Sequence, residues 1–257
     1  MSASFKKFNA LHHSDELFLL PNAWDAKSAQ VFQEQKFPAV GTSSAAVASS
    51  LGYQDGEGMP FTDYLFVISR ILSSVNIPLT VDMEMGYGKN KDDIYNNIVT
   101  LIDAGVAGIN IEDSVIHDSK RSLKDAEEFA RTIEYIQNKL QSKKQDIFIN
   151  IRCDTYILNV EHKQRETAKR LTLYNKTGAN GIFLPFINKE EDIAEAVAIS
   201  TLPVSAMCMK GLPGFDTLNK LGIKRVSMGP FLFNRIYGSI AEFTNSIAAN
   251  KDFSSIV

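Results

Sequence analysis

The chain has 257 residues, 44% of them hydrophobic and 22% charged, with a formal net charge of −3. This is the composition of an ordinary globular protein with enough chain for a substantial core, in one large domain or two small ones. Scattered Lys and Arg form no basic patch for nucleic acid, and no run of about 18 apolar residues could span a membrane. Cys153 and Cys208, the two cysteines, make no disulfide framework and suit a reducing compartment. The N-terminus lacks a basic start, an apolar block and a small-residue cleavage site, so a cytoplasmic location is expected. His12 and His13 read as exposed polar residues, because no further metal ligand lies near them in the sequence.

Short apolar runs then alternate with helix-periodic stretches. LFLLP (17–21) reads as a strand, with Asp25 placed to cap a helix through Gln35. PAVGTSS (38–44) is a second strand, followed by a Gly-rich loop and a helix from Thr62 to about Ser74. PLTVDME (78–84) precedes a helix over about 91–104, and GINIED (108–113) precedes a long helix over about 122–142. IFINIR (147–152) leads to a helix ending near Gly178, a natural C-terminal cap. GIFLP (181–185), PVSAMC (203–208) and KRVSMGP (224–230) each precede a helix, the last running to about Asn250. No linker or composition shift divides these eight βα units. The strands look apolar on both faces, as buried parallel strands do. The pattern predicts one (β/α)8 TIM barrel over 1–257, without the G-x-G-x-x-G of a dinucleotide fold.

Active sites of such barrels lie at the C-terminal strand ends. There this sequence places Ser43 and Ser44, Asp82 and Glu84, Glu112 and Asp113, and Arg152 and Asp154. Asp113 and Asp154 are accounted for as helix caps. Asp82, Glu84 and Glu112 are not, and three converging carboxylates would resist ionisation together unless a cation joined them. Hard oxygen donors without His or Cys favour Mg2+, with Mn2+ as the alternative. In a strand, residues i and i+2 lie on one face roughly 6–7 Å apart. One carboxylate, Asp82, is therefore expected to bind directly and the others through water. Arg152 is a carboxylate clamp, or an ion-pair partner of the acids, or both. SLGYQDGEGMP (50–60), with Asp55 and Glu57, reads as a passive surface loop.

Taken in order, LPNAWDAKSA, VDMEMGYG, GINIEDS, IRCD and KRVSMGPFLF resemble the isocitrate lyase / phosphoenolpyruvate mutase superfamily over nearly the whole chain. The resemblance implies a (β/α)8 barrel that binds Mg2+ through Asp82, with Glu84 and Glu112 holding its waters. It implies substrate binding by Trp24, Ser43, Arg152 and the backbone N–H groups of Ser44 and Ala45, with Asp25 near the substrate. Asp55 matches an acid on the gating side, and Asp55, Arg152 and Lys120 are the candidate catalytic residues. A mobile lid is expected around 114–124. That segment carries Lys120, Arg121 and Ser122 where the lyases have K-[KR]-C-G-H, so the lyase cysteine is missing. GIFLPFIN also lacks the lyase glutamate, and SAMCMKG shows no substrate-binding Asn.

The expected function is that of a Mg2+-dependent lyase. It would cleave a C–C bond or decarboxylate a small 2-oxo or 2-hydroxy carboxylic acid through a pyruvate-enolate-like intermediate. One alternative is a P–C mutase or hydrolase acting on phosphonopyruvate or phosphoenolpyruvate. Another, of a different class, is an inactive barrel that binds metal and oxo-acid. The expected partners are a small carboxylic acid and, from the family's habit of swapping its last helix, further copies of the chain in a homo-oligomer.

Overall fold

The computed structural model describes residues 2–118 and 120–257. Its first element is a helix, α1 (Ala3–His12), followed by β1 (Phe18–Leu20) and β2 (Asn22–Ala23). These two strands are halves of one, split at Pro21, which has no N–H to give to a ladder. α2 (Ala26–Glu34), β3 (Val40–Thr42), α3 (Ser44–Ser50), α4 (Phe61–Leu72), β4 (Leu79–Asp82), α5 (Lys91–Ala104) and β5 (Gly108–Glu112) come next. An antiparallel hairpin, β6 (Ser114–His117) and β7 (Lys120–Leu123), precedes α6 (Ala126–Ser142) and β8 (Phe148–Arg152). The chain ends with α7 (Lys163–Tyr174), β9 (Gly181–Leu184), α8 (Glu190–Ile199), β10 (Val204–Met207), α9 (Phe215–Lys220), β11 (Ile223–Ser227) and α10 (Phe231–Asn250).

The sheet order β1-β11-β10-β9-β8-β5-β4-β3-β2 begins and ends on the same split strand. Eight parallel strands therefore close into the expected (β/α)8 barrel. Caps fix where the helices start. Asp25 accepts the Ser28 N–H at 2.7 Å, and Ser28 Oγ accepts the Asp25 N–H at 3.2 Å. Asp125 accepts the Glu128 N–H at 2.9 Å, so α6 begins at Ala126 instead of near 122, and the residues before it form the hairpin. Ser119, in the expected lid, lies outside the described residues.

Strand alternation sorts the core into two parts. Ile109, Ile111, Ile149 and Ile151 pack outward against the helices, each buried Ile contributing about 1.5–3 kcal/mol. Their neighbours Asn110, Glu112, Asn150 and Arg152 face inward, so β5 and β8 carry polar side chains on their inner face, where the sequence pattern predicts both faces apolar. At the bottom of the barrel α1 inserts Phe8 and His12 against Phe18, Leu20 and Phe148. A Cβ on Gly108 would lie 2.7 Å from the Phe8 ring, so this close approach requires glycine.

His12 is thus buried, not exposed, and its ring stacks on Phe148 at 4.1 Å; His13 is exposed. Burial, and then the Arg225 charge, hold the His12 pKa well below its ordinary value. The unfolded chain takes up this proton near pH 6.5 and the folded chain does not. Stability should therefore fall as the pH drops below about 6.5, by up to about 1.4 kcal/mol per pH unit. His12→Phe removes this slope. Urea unfolding at pH 7 and pH 5.5 should show the variant gaining on the wild-type protein at the lower pH.

Candidate active site

The parallel register pairs Asp82 with Asn110 and Glu112 with Arg152, which brings chemically distinct strand ends to one level. Asp82, Asn110 and Arg152 border a cavity of about 230 Å3 at the C-terminal mouth of the barrel, which Glu112 does not line. Drug-sized pockets span roughly 300–1,000 Å3, so this one suits a small acid. Asn22, Ser43, Ser44, Asp55, Asp82 and Arg152 line its polar side together with Ala45 and Asn110. Phe183, Pro185, Phe186, Met207 and Phe231 form the apolar side.

Asp82 is anchored through its backbone: its N–H donates to Thr42 Oγ1 at 3.0 Å, and its carbonyl accepts from Tyr64 Oη at 3.1 Å. Its Oδ2 accepts from Ser44 Oγ at 2.9 Å, while Oδ1 is buried with no hydrogen-bond partner among the described residues. Burial pushes this carboxyl upward, against the opposing pull of Arg152 and Ser44. An unpartnered carboxylate oxygen at a cavity wall fits a single direct ligand to a hard cation that keeps most of its waters.

Glu84 does not share a strand face with Asp82. β4 ends at Asp82, and Glu84 has a left-handed backbone (φ 49°) that turns the chain. Its carboxylate accepts the Glu57 N–H and the Tyr87 hydroxyl, both at 2.8 Å. Burial, with the Asp55 and Asp82 charges adding to it, pushes it up to about 8. Glu57 in turn accepts the Tyr87 N–H at 2.6 Å. Segment 50–60, expected as a passive loop, is in this way tied into the wall of the site and carries Asp55 to the cavity.

Glu112 meets Arg152 Nη1 at 2.9 Å and is also paired with Arg121 of the hairpin. Among the described residues no three His, Cys, Asp or Glu side chains gather tightly enough to cage a metal ion. Arg152 is both cavity wall and ion-pair partner, with Nε 2.6 Å from Asp154 Oδ1 and Nη2 3.3 Å from Oδ2. Neither Asp113 nor Asp154 caps a helix through its side chain. Asp113 accepts from Asp154 N–H at 2.8 Å, Arg170 Nη1 at 2.9 Å and Tyr174 Oη at 2.7 Å. Arg170 Nη2 donates onward to the Lys124 carbonyl at 2.8 Å, which fixes the root of the hairpin.

Lys120 lies exposed in the hairpin and does not line the cavity. Trp24 packs edge-to-face on Phe233 of α10, 5.3 Å between ring centres, behind the site. Cys153 is buried against Thr155, and Cys208 donates to the Met228 carbonyl; neither stands in the cavity where a lyase cysteine would act. Sequence reasoning missed Asn22 and Asn110. Asn22 Oδ1 accepts the Met228 and Gly229 N–H groups at 2.9 and 2.8 Å, joining the last strand to the first. The available signal was an amide placed among apolar strand residues.

The profile of the phosphoenolpyruvate phosphomutase family matches residues 8–248. An uncharacterised Mycobacterium tuberculosis protein is 35% identical over 222 residues, 86% of this chain and 81% of its own. The 2-methylisocitrate lyase of Escherichia coli is 27% identical over 206 residues, 77% of this chain and 68% of that enzyme. A solved Burkholderia cenocepacia structure, assigned as a phosphonomutase, superposes with a TM-score of 0.88 at 32% identity, covering 95% of this chain and all of its own.

Removing one partner of a buried ion pair costs about 3–5 kcal/mol, because the other charge stays buried and unpaired. Arg170→Met should lower the unfolding free energy by about that amount, through Asp113. Chemical denaturation monitored by circular dichroism measures it.

Proposed function

The chain belongs to the phosphoenolpyruvate phosphomutase family, within a superfamily of lyases and mutases, and on that premise we propose that it is a Mg2+-dependent carbon–carbon lyase. Its substrate would be a small 2-oxo or 2-hydroxy carboxylic acid, cleaved or decarboxylated through a pyruvate-enolate-like intermediate. The observation that carries this reading is the unpartnered, buried Asp82 Oδ1 beside Arg152 in a small cavity. Asp82 would hold the ion, with Glu84 and Glu112 ordering its waters. When bound, Mg2+ supplies Lewis-acid stabilisation of negative charge developing on the oxo oxygen.

The chain's own residues do the rest. Arg152 fixes the substrate carboxylate with the part of its planar fork that faces the cavity. Ser43 and the first turn of α3, whose leading N–H groups have no intrahelical acceptor, receive a second anionic oxygen. The aromatic residues Phe183, Phe186 and Phe231 give the cavity an apolar side, which favours the loss of neutral CO2. Decarboxylation of oxaloacetate suits a site without the lyase cysteine. Loss of CO2 leaves only the enolate carbon to be protonated, and water admitted beside Asp55 suffices. The hairpin would act as a lid that brings Lys120 over the mouth. Exposed Ile236, Tyr237, Ile240 and Phe243 on α10 support a homo-oligomer.

A second reading, P–C bond chemistry on phosphonopyruvate, is supported by the family profile and by the Burkholderia relative. Purified protein with Mg2+ should release pyruvate from oxaloacetate or a methylisocitrate-like acid in a coupled dehydrogenase assay. Lewis-acid stabilisation is worth several kcal/mol, so Asp82→Ala should lower turnover by about 1,000-fold. Phosphorus NMR showing turnover of phosphonopyruvate instead would select the second reading. Oxalate binding without turnover of any of these acids would identify a non-catalytic binder.

A further inference from the structure

Beneath the cavity floor lies a cation that the proposed chemistry does not use. Arg225 of β11 is fully buried inside the barrel, and its guanidinium carbon sits 5.7 Å from the ring centre of Phe183, itself a cavity residue. It has no salt bridge among the described residues, and its Nε and Nη1 have no hydrogen-bond partner there. Burial pushes its pKa down to about 9, with Asp82 pulling the other way, so it stays charged at neutral pH. An unpaired buried cation is costly, and an apolar side chain would fill the same space at less expense.

What Arg225 does contact is Asn110. Arg225 Nη2 donates to Asn110 Oδ1 at 3.1 Å, and Asn150 Nδ2 donates to the same oxygen at 2.9 Å. A guanidinium has only donors, so the atom of Asn110 facing it must be the amide oxygen. The reversed amide would set two N–H groups against each other. The register places Asn110 beside Asp82, and its backbone carbonyl accepts the Met83 N–H at 2.9 Å, which fixes the strand under the amide. Asn110 lines the cavity, and no protein acceptor is found for its Nδ2 among the described residues.

We propose that Asn110 binds substrate from the cavity floor, donating from Nδ2 to an oxygen of the bound oxo-acid, and that Arg225 is the positioning residue that holds its amide in that orientation. This rests on the oxo-acid reading above and adds a donor on the cavity floor to those of the Ser43 region. It also gives the buried cation a role: Arg225 removes the alternative amide rotamer, which would present an acceptor to an anion.

Calorimetry of oxalate binding in the presence of Mg2+ tests it. Asn110→Asp keeps the shape but replaces the donor with an acceptor, and should weaken oxalate by about 10- to 100-fold. Arg225→Met should weaken it several-fold, whereas the double variant Asn110→Ala/Arg225→Met should bind no worse than Asn110→Ala alone, since no donor is left to position. A purely structural Arg225 would instead add its full loss to that of Asn110→Ala, and this would overturn the positioning role. Should Arg225→Met not fold, the side-chain amide signal of Asn110 in the 15N-labelled wild-type protein decides. Identified by its loss in Asn110→Asp, it should move when oxalate is added with Mg2+; no movement under saturating oxalate overturns the proposal. Wild-type protein that binds oxalate while Asn110→Asp binds it equally well refutes the Asn110 role alone. Wild-type protein that binds no oxalate refutes the oxo-acid reading, and this inference falls with it.

Discussion

Carboxylates withdrawn from water must find a cation or a donor, and the rim of this barrel is organised around that requirement. Arg152 spans Glu112 and Asp154, while Arg170 holds Asp113 together with Tyr174. Arg121 adds a second cation to Glu112. Glu84 takes a backbone N–H and a tyrosine hydroxyl in place of a cation. Asp82 keeps one buried oxygen unmatched, at the wall of the cavity in the barrel mouth. The candidate metal position is therefore a place on the rim where an acid's local pairing is incomplete.

The same pairing connects the site to its surroundings. Arg170 joins Asp113 to the Lys124 carbonyl, so the hairpin is rooted in the ion-pair layer below it. Glu57 and Glu84 bind the 50–60 segment to the turn after β4 through backbone N–H groups. These contacts act on main chain, where each buried polar group has to be satisfied, and they fix the two loops that flank the cavity. Beneath them the barrel interior passes from ionised groups through the Asn110, Asn150 and Arg225 layer to an aromatic plug. A polar middle layer transmits orientation to the floor of the site, which the apolar packing of the outer shell could not do.

Much of this was written in the sequence. Eight short apolar runs spaced by helical stretches specified a parallel barrel, because closure hides every strand edge and buries every outward Ile and Val. Strand-end placement alone brought Asp82, Arg152 and Ser43 to one rim. The cap at Asp25 was equally local, since it depends on a side chain reaching an N–H three residues on.

Other features depended on partners distant in the chain. His12 looked like an exposed terminal residue, yet α1 folds back to place it on Phe148. Glu84 looked like a strand neighbour of Asp82, yet a left-handed turn sends it toward Glu57. Asp113 and Asp154 looked like caps, but Asp113 is claimed by Arg170 of α7 and Asp154 accepts from Ser114 Oγ of the hairpin. Asn110 and Arg225 lie 115 residues apart. Periodicity and capping act between near neighbours, so the sequence by itself determined the barrel, its strand ends and the acids and arginine that line them. Which acid is paired, which oxygen is left open and which amide faces the cavity depend on charges meeting across the closed barrel, and only the tertiary structure decided them.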